Sequence, residues 1–214
     1  MPVFEENSDC ILGYVSQEHL RKNHSKSIKG LEQPITHVRL ISNATPVTDS
    51  IAKIMDSRFL YVLRGTSICG LVTYADFDKR PVRSLLYALI SELEKRLIQR
   101  MEDEKTSEYW LGKLNHSGRR NVLKWHRQRK AQGMQLSEVD CFSLENIFSA
   151  IGREKAFRES VGLEGGDYEE TARRIVELRN KVAHPGLDLT ATVEELNELI
   201  GIKRTLIELL RRAS

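Results

Sequence analysis

The chain has 214 residues, enough for one large domain or two small ones, and 40% hydrophobic with 29% charged residues is the composition of a globular protein. Lys and Arg number 33 against 30 Asp and Glu, and the formal net charge of +3 neither demands nor forbids a nucleic-acid partner. The longest apolar run, Leu85 to Ile90, falls far short of the roughly 20 residues that span a bilayer. Glu5, Glu6 and Asp9 stand where a signal peptide would carry positive charge, and the three scattered cysteines (Cys10, Cys69, Cys141) have no metal-ligand spacing. The expectation is a reduced, cytoplasmic protein with no membrane partner and no metal.

Residues 1–35 are mixed and polar, interrupted by Gly13, Gly30 and Pro34, with Asn23 to Lys29 reading as a basic loop. His37 to Ile41 predicts a short strand and Thr45-Pro46 a turn. Thr48 to Met55, apolar at 51, 54 and 55, predicts a short helix with Thr48 as N-cap. Phe59 to Leu63 and Ile68 to Tyr74 predict a strand hairpin around Arg64-Gly65-Thr66-Ser67. After Arg80-Pro81 the period becomes helical. Val82 to about Glu104 repeats apolar residues at 82, 85, 86, 89, 90, 93 and 97, and Ser137 to Ile151 predicts a weaker helix. Tyr168 to Ala183 sets Ile175, Val176, Leu178, Val182 and Ala183 on one face. Thr192 to Leu210 does the same with Val193, Leu196, Leu199, Ile200, Ile207 and Leu210. Gly165-Gly166 and Pro185-Gly186 separate these helices. The expected fold class is α+β, with a small α/β unit over residues 1–80, N-terminal extension included, and an all-α helical bundle over residues 81–214.

Gly70-Leu71-Val72-Thr73-Tyr74-Ala75-Asp76 reads as a strand ending in a hydroxyl residue, followed by an aspartate that opens a helix. Asp76 there is an N-cap, and the same place suits a ribose or an anion because free N–H groups point outward. Together with the Thr-Pro opening, the helix ending near Met55 and the hairpin, the stretch Ile41 to Leu86 resembles a CBS domain. Paired CBS motifs bind adenine nucleotides. The resemblance implies that Thr73 and Asp76 hold ribose and phosphate and that residues from Ser42 to Thr45 line the base pocket. Only one motif is present, so its twin must come from a second chain, which predicts a homodimer. CBS-like folds also serve as dimerisation platforms that bind nothing.

Arg179-Asn180-Lys181-Val182-Ala183-His184 precedes Pro185-Gly186. The residue before a proline avoids the α region, so the helix should end near Ala183 with His184 at its exit. An imidazole that changes charge near neutral pH is a usable acid or base, and a guanidinium stabilises phosphorane oxygens. On a helix Asn180 and His184 share a face, with Arg179 about 100° away. One chain frames a cleft edge, and two chains on a two-fold axis close a site. The alternative is structural, with His184 bonding a backbone carbonyl and Arg179 pairing with Glu177 or a neighbour.

Residues 82–214 in this layout resemble the HEPN family of all-α domains. Many members are metal-independent ribonucleases of toxin and antiviral systems that act as dimers. The resemblance implies His184 in proton transfer, Arg179 in transition-state stabilisation and Asn180 in positioning the scissile phosphate. Other members only dimerise or bind RNA. A second string, Arg120 to His126, has similar spacing in a basic, Gly-flanked segment.

Tyr109 to Leu136 holds both tryptophans and seven basic residues, among them Arg119, Arg120, Lys124 and Arg127, with no acid. This mixture suits single-stranded RNA, cations meeting phosphates and rings stacking on bases. The alternative is a basic loop whose tryptophans are core residues. The expected function is a HEPN-type endoribonuclease homodimer that needs no cofactor for catalysis, regulated by an adenine nucleotide at the CBS-like unit. The helix from Val82 would carry the signal. The alternatives are a catalytically silent dimer that binds RNA or a partner, and a dimer with a structural role alone.

Overall fold

The computed structural model describes residues 2–6, 11–22, 30–163, 168–184, 186, 187, 189, 201, 205 and 207–212. The fold is α+β, and the chain divides into two compact units, Met1–Lys79 and Arg80–Ser214.

The N-terminal unit opens with elements that the polar composition hid. Strands β1 (Pro2–Phe4) and β2 (Ile11–Tyr14) pair antiparallel, and helix α1 (Gln17–Lys22) follows. Gly13 is required there: a Cβ at this position would lie 2.5 Å from the Gln33 carbonyl oxygen. Tyr14 and Gln33 exchange backbone hydrogen bonds of 3.0 and 2.8 Å beside it.

The strand expected from His37 starts three residues later. His37–Arg39 is a 3-10 turn, closed by the Arg39 amide donating to the Thr36 carbonyl, and β3 spans Leu40–Ser42. Helix α2 (Val47–Ser57) starts behind Pro46, so Thr48 lies inside the first turn and is not the cap. Ile51 and Ile54 bury its apolar face. Strands β4 (Phe59–Arg64) and β5 (Ser67–Thr73) form the expected hairpin, its turn set by Gly65 at a φ of +61°. The sheet order is β3-β4-β5, with β3 parallel and β5 antiparallel to β4.

The C-terminal unit is built on α3 (Arg80–Glu104). Val82, Leu86, Ile90, Leu93, Leu97 and Met101 are its buried apolar stripe. At about 2 kcal/mol for each fully buried aliphatic side chain, this stripe rather than intrinsic propensity holds the long helix. Helices α4 (Ser107–Gly112) and α5 (His116–Ala131) occupy the basic segment, so it is not a loop. The helix expected from Ser137 is shorter. Ser137 and Asp140 bond each other's backbone amides, Val139–Cys141 is a 3-10 turn, and α6 (Leu144–Gly152) begins behind Ser143, whose hydroxyl accepts from the Asn146 amide. Helix α7 (Lys155–Ser160) follows.

Helix α8 (Tyr168–Ala183) has the expected bounds. Tyr168, Ala172, Ile175, Leu178 and Val182 are buried, Val176 is half-buried, and Ala183 is exposed and does not belong to the core face. Of the helix expected over 192–210, residues 201, 205 and 207–210 are helical and Leu209 is buried. Val193, Leu196, Leu199 and Ile200 lie outside the described residues, as do Gly165-Gly166 and Pro185.

Candidate active site at the end of α8

Helix α8 packs on α3 and α6 and is extended on its outer side by ion pairs of Arg173 with Glu170 and Glu177 and of Arg174 with Glu170. Exposed pairs of this kind contribute little each. The end of the helix is held differently. Arg83 of α3 is 8% exposed and donates from Nη1 to the carbonyls of Lys181 (2.7 Å) and His184 (3.5 Å), and from Nη2 to that of Leu187. A buried cation thus caps the carbonyls left open by the last helical turn, where the helix dipole favours positive charge. Sequence reasoning missed it. The signal was a lone arginine at a position that continues the spacing of Leu86, Ile90, Leu93 and Leu97.

This clamp fixes the backbone around His184. Its amide donates to the Asn180 carbonyl at 3.1 Å, and its own carbonyl accepts from the Leu187 amide at 3.0 Å. The imidazole is exposed and makes no hydrogen bond or ion pair among the described residues. Among the described residues it is Arg83, and not the His184 ring, that bonds the carbonyls at this helix end.

Arg179 donates from Nη1 to Asn180 Oδ1 at 3.3 Å. Glu177, its alternative partner, is taken by Arg173 at 2.5 Å, and Arg179 has no carboxylate within ion-pair distance among the described residues. Glu94 of α3 is the acid that feels its charge. Burial raises the Glu94 pKa, the Arg179 charge opposes this, and burial prevails. Asn180 lines a cleft of about 670 Å³ between α6 and α8. The structure therefore joins Arg179 to Asn180 through a hydrogen bond and sets His184 one turn further on, on the Asn180 side of the helix. In chemical terms this is an exposed imidazole, a permanent cation and an amide side chain near one helix end.

The second Arg–His string forms no site. His126 turns inward, with Nε2 2.9 Å from the Leu136 carbonyl and Nδ1 3.7 Å from Glu138 Oε1. Arg120 is exposed on the other side of α5. Arg119, Arg120, Lys124 and Arg127 are all exposed and in no ion pair among the described residues. Arg120, Lys124 and Arg127 follow one another along a single stripe, and Arg119 lies about 100° from Arg120. The tryptophans divide. Trp110 is fully buried, its Nε1 donating to the Met101 carbonyl at 2.6 Å, whereas Trp125 is 54% exposed. Only Trp125 is open to stacking.

In the N-terminal unit the four expected nucleotide residues fall into two places. Thr73, not Asp76, is the N-cap of the 3-10 turn Tyr74–Asp78. Asp76 closes a reciprocal capping box, its Oδ2 accepting from the Thr73 amide (2.7 Å) and hydroxyl (2.9 Å), while Oδ1 pairs with Lys79 Nζ at 2.5 Å. Burial works to raise the Asp76 pKa, but the hydrogen bonds from Lys79 and Thr73 bring it below the usual carboxylate value. Ser42 and Thr45 bond each other in the turn after β3, the Ser42 amide donating to Thr45 Oγ1 at 3.0 Å. Ser42 stands opposite Leu63 and Thr73 opposite Phe59, so the two pairs lie at opposite ends of β4, about 13 Å apart along the strand. One chain does not gather them around one ligand.

No protein-family model, curated protein or solved structure matches the chain. The CBS-like and HEPN-like readings rest on the residues themselves. Among the described residues no helix is long and apolar enough to cross a membrane, and no group of His, Cys, Asp or Glu is arranged to hold a metal ion.

Proposed function

We propose that the protein is a HEPN-type endoribonuclease that acts as a homodimer and needs no metal for catalysis. The observation that carries this reading is the exposed His184 imidazole, unpartnered among the described residues and mounted on a clamped backbone one turn beyond the Arg179–Asn180 pair. A helix-terminal histidine kept for structure would use its ring as a cap, and here Arg83 does that work.

The reaction is attack of a ribose 2′-oxygen on the adjacent phosphorus. A neutral His184 takes the 2′-hydroxyl proton as the O2′–P bond forms. The P–O5′ bond then breaks, and the leaving 5′-oxygen receives a proton from the His184 of a second copy, leaving a 2′,3′-cyclic phosphate and a 5′-hydroxyl. Arg179 stabilises the charge gathering on the phosphorane oxygens, and Asn180 orients the phosphate. Single-stranded RNA runs along the Arg120–Lys124–Arg127 stripe of α5, with Trp125 as a stacking platform. An adenine nucleotide at the N-terminal unit acts as regulator. To reach Thr73 or Asp76 it must displace their mutual hydrogen bonds and the Lys79 pair.

The experiment is analysis of the RNA fragment ends. Cyclic phosphate and 5′-hydroxyl ends support this mechanism, and 3′-hydroxyl with 5′-phosphate ends contradict it. The second reading, a silent RNA-binding dimer, is favoured by Arg120, Lys124 and Arg127 of α5, which are in no ion pair among the described residues and need no chemistry to bind RNA. It requires that His184→Ala leave every function of the protein intact.

A further inference from the structure

The cleft between α6 and α8 has a defined polarity. At one end the Tyr168 hydroxyl donates to the Phe148 carbonyl, and a Cβ added to Gly152 would touch the Tyr168 ring at 3.0 Å. Gly152 thus lets α6 end against the first residue of α8. Arg158 reaches the same place, its guanidinium 5.1 Å over the Tyr168 ring. Its Nε is buried without an acceptor, and no carboxylate lies within ion-pair distance among the described residues. Its neighbour Arg173 is satisfied by Glu170 and Glu177, and Arg153 donates to the Lys113 carbonyl. Among the described residues neither Arg153 nor Arg158 has a carboxylate partner, but Arg153 is exposed whereas Arg158 is half-buried with its Nε covered, and partly burying an unpaired guanidinium is costly.

The other end, about 18 Å away along α8, is Asn180, and Phe148, Ala172 and Val176 make an apolar floor between. A volume of about 670 Å³ lies within the range of small-ligand sites. The exposed Glu145, Glu169 and Glu177 also line the cleft, which disfavours a polyphosphate. One cation over the Tyr168 ring, an apolar floor and an amide at the far end fit a ligand with one phosphate and one flat heterocycle.

We propose that this cleft binds a single nucleotide unit, its phosphate on Arg158 and its base over the apolar floor toward Asn180. The unit is either a free nucleoside monophosphate or one residue of an RNA strand. In the second case the inference rests on the nuclease reading, because Asn180 also orients the scissile phosphate there.

The test is calorimetric titration of the full chain with two probes, the four nucleoside 5′-monophosphates and a 2′-O-methyl pentanucleotide that cannot be cleaved. It is repeated on Arg158→Met and on Ser149→Phe, which fills the cleft from α6. The expected result is binding of one probe, weakened about tenfold or more by each substitution. The melting temperature of Arg158→Met should be no lower than that of the unsubstituted protein, since a structural arginine would behave in the opposite way. Binding of the monophosphates assigns a free ligand, and binding of the pentanucleotide alone assigns RNA. Failure of both probes to bind, or binding unchanged in both folded variants, overturns the proposal. Cleavage that needs His184, by a protein whose probe binding is absent or ignores both substitutions, sinks this inference alone. Arg158-dependent binding by a protein that never cleaves sinks the nuclease reading alone.

Discussion

Arg83 Nη1 lies 2.7 Å from the carbonyl oxygen of Lys181, so a buried cation on α3 closes the helix that carries Arg179, Asn180 and His184. The contact joins residues far apart in the chain and sets the position of the His184 backbone. Replacing Arg83 by Met leaves the carbonyls of Lys181 and Leu187 without this donor. The expected loss is about 2–4 kcal/mol of stability, from charged hydrogen bonds removed and carbonyls left unsatisfied. Urea unfolding measures it, and a loss below about 0.5 kcal/mol would mean that the clamp is incidental.

Two carboxylates have their pKa values shifted in opposite directions. Asp76 has its folded pKa lowered from 3.8, so the stability it contributes is present above that value and is lost as pH falls through the lower, folded one. Asp76→Asn should flatten the acid limb of the stability profile of the protein. Glu94 has its folded pKa raised from 4.5, so its ionisation costs stability as pH rises through the window just above that value. Glu94→Gln should raise the melting temperature at pH 7 and have no effect near pH 3. The reverse order at either pH contradicts the assignment.

The basic face of α5 separates charge from stacking. Neutralising Arg120, Lys124 and Arg127 together should weaken single-stranded RNA binding and reduce the salt slope of log K by about 2, at roughly 0.7 for each phosphate contact. Trp125→Ala should weaken binding by about 1–3 kcal/mol with the slope unchanged. Trp110→Ala removes a buried core ring and should cost about 3–5 kcal/mol of stability. Anisotropy titrations across a salt series check the first two outcomes.

What the sequence made legible follows from local physics. Helix α8 stands between turn signals with a sustained 3–4 period, and the β4–β5 hairpin turns on Gly65, so both were readable. The segment Ser137–Phe142 was not, because Ser137 and Asp140 bond each other's backbone amides in place of a helical ladder. The β1–β2 hairpin was hidden by Gly13, whose role is the close approach to Gln33 rather than a break in the chain. Strand patterns do not state direction, so nothing in them separated Ser42 and Thr45 from Thr73 and Asp76. The residues Arg179, Asn180 and His184 were visible as a motif. The Arg83 clamp on the carbonyls of Lys181 and His184 is a contact between distant parts of the chain that spacing alone does not reveal.

The central claim is that the His184 imidazole is a proton carrier in RNA cleavage. Its most direct test is cleavage of a labelled single-stranded RNA in EDTA by the unsubstituted protein and by His184→Ala, with adenine nucleotides present and absent. The account predicts cleavage by the unsubstituted protein and a loss of about 10²-fold or more in His184→Ala, the usual scale for a general acid–base group. Equal cleavage by both proteins, or none by either under every nucleotide condition, would contradict it.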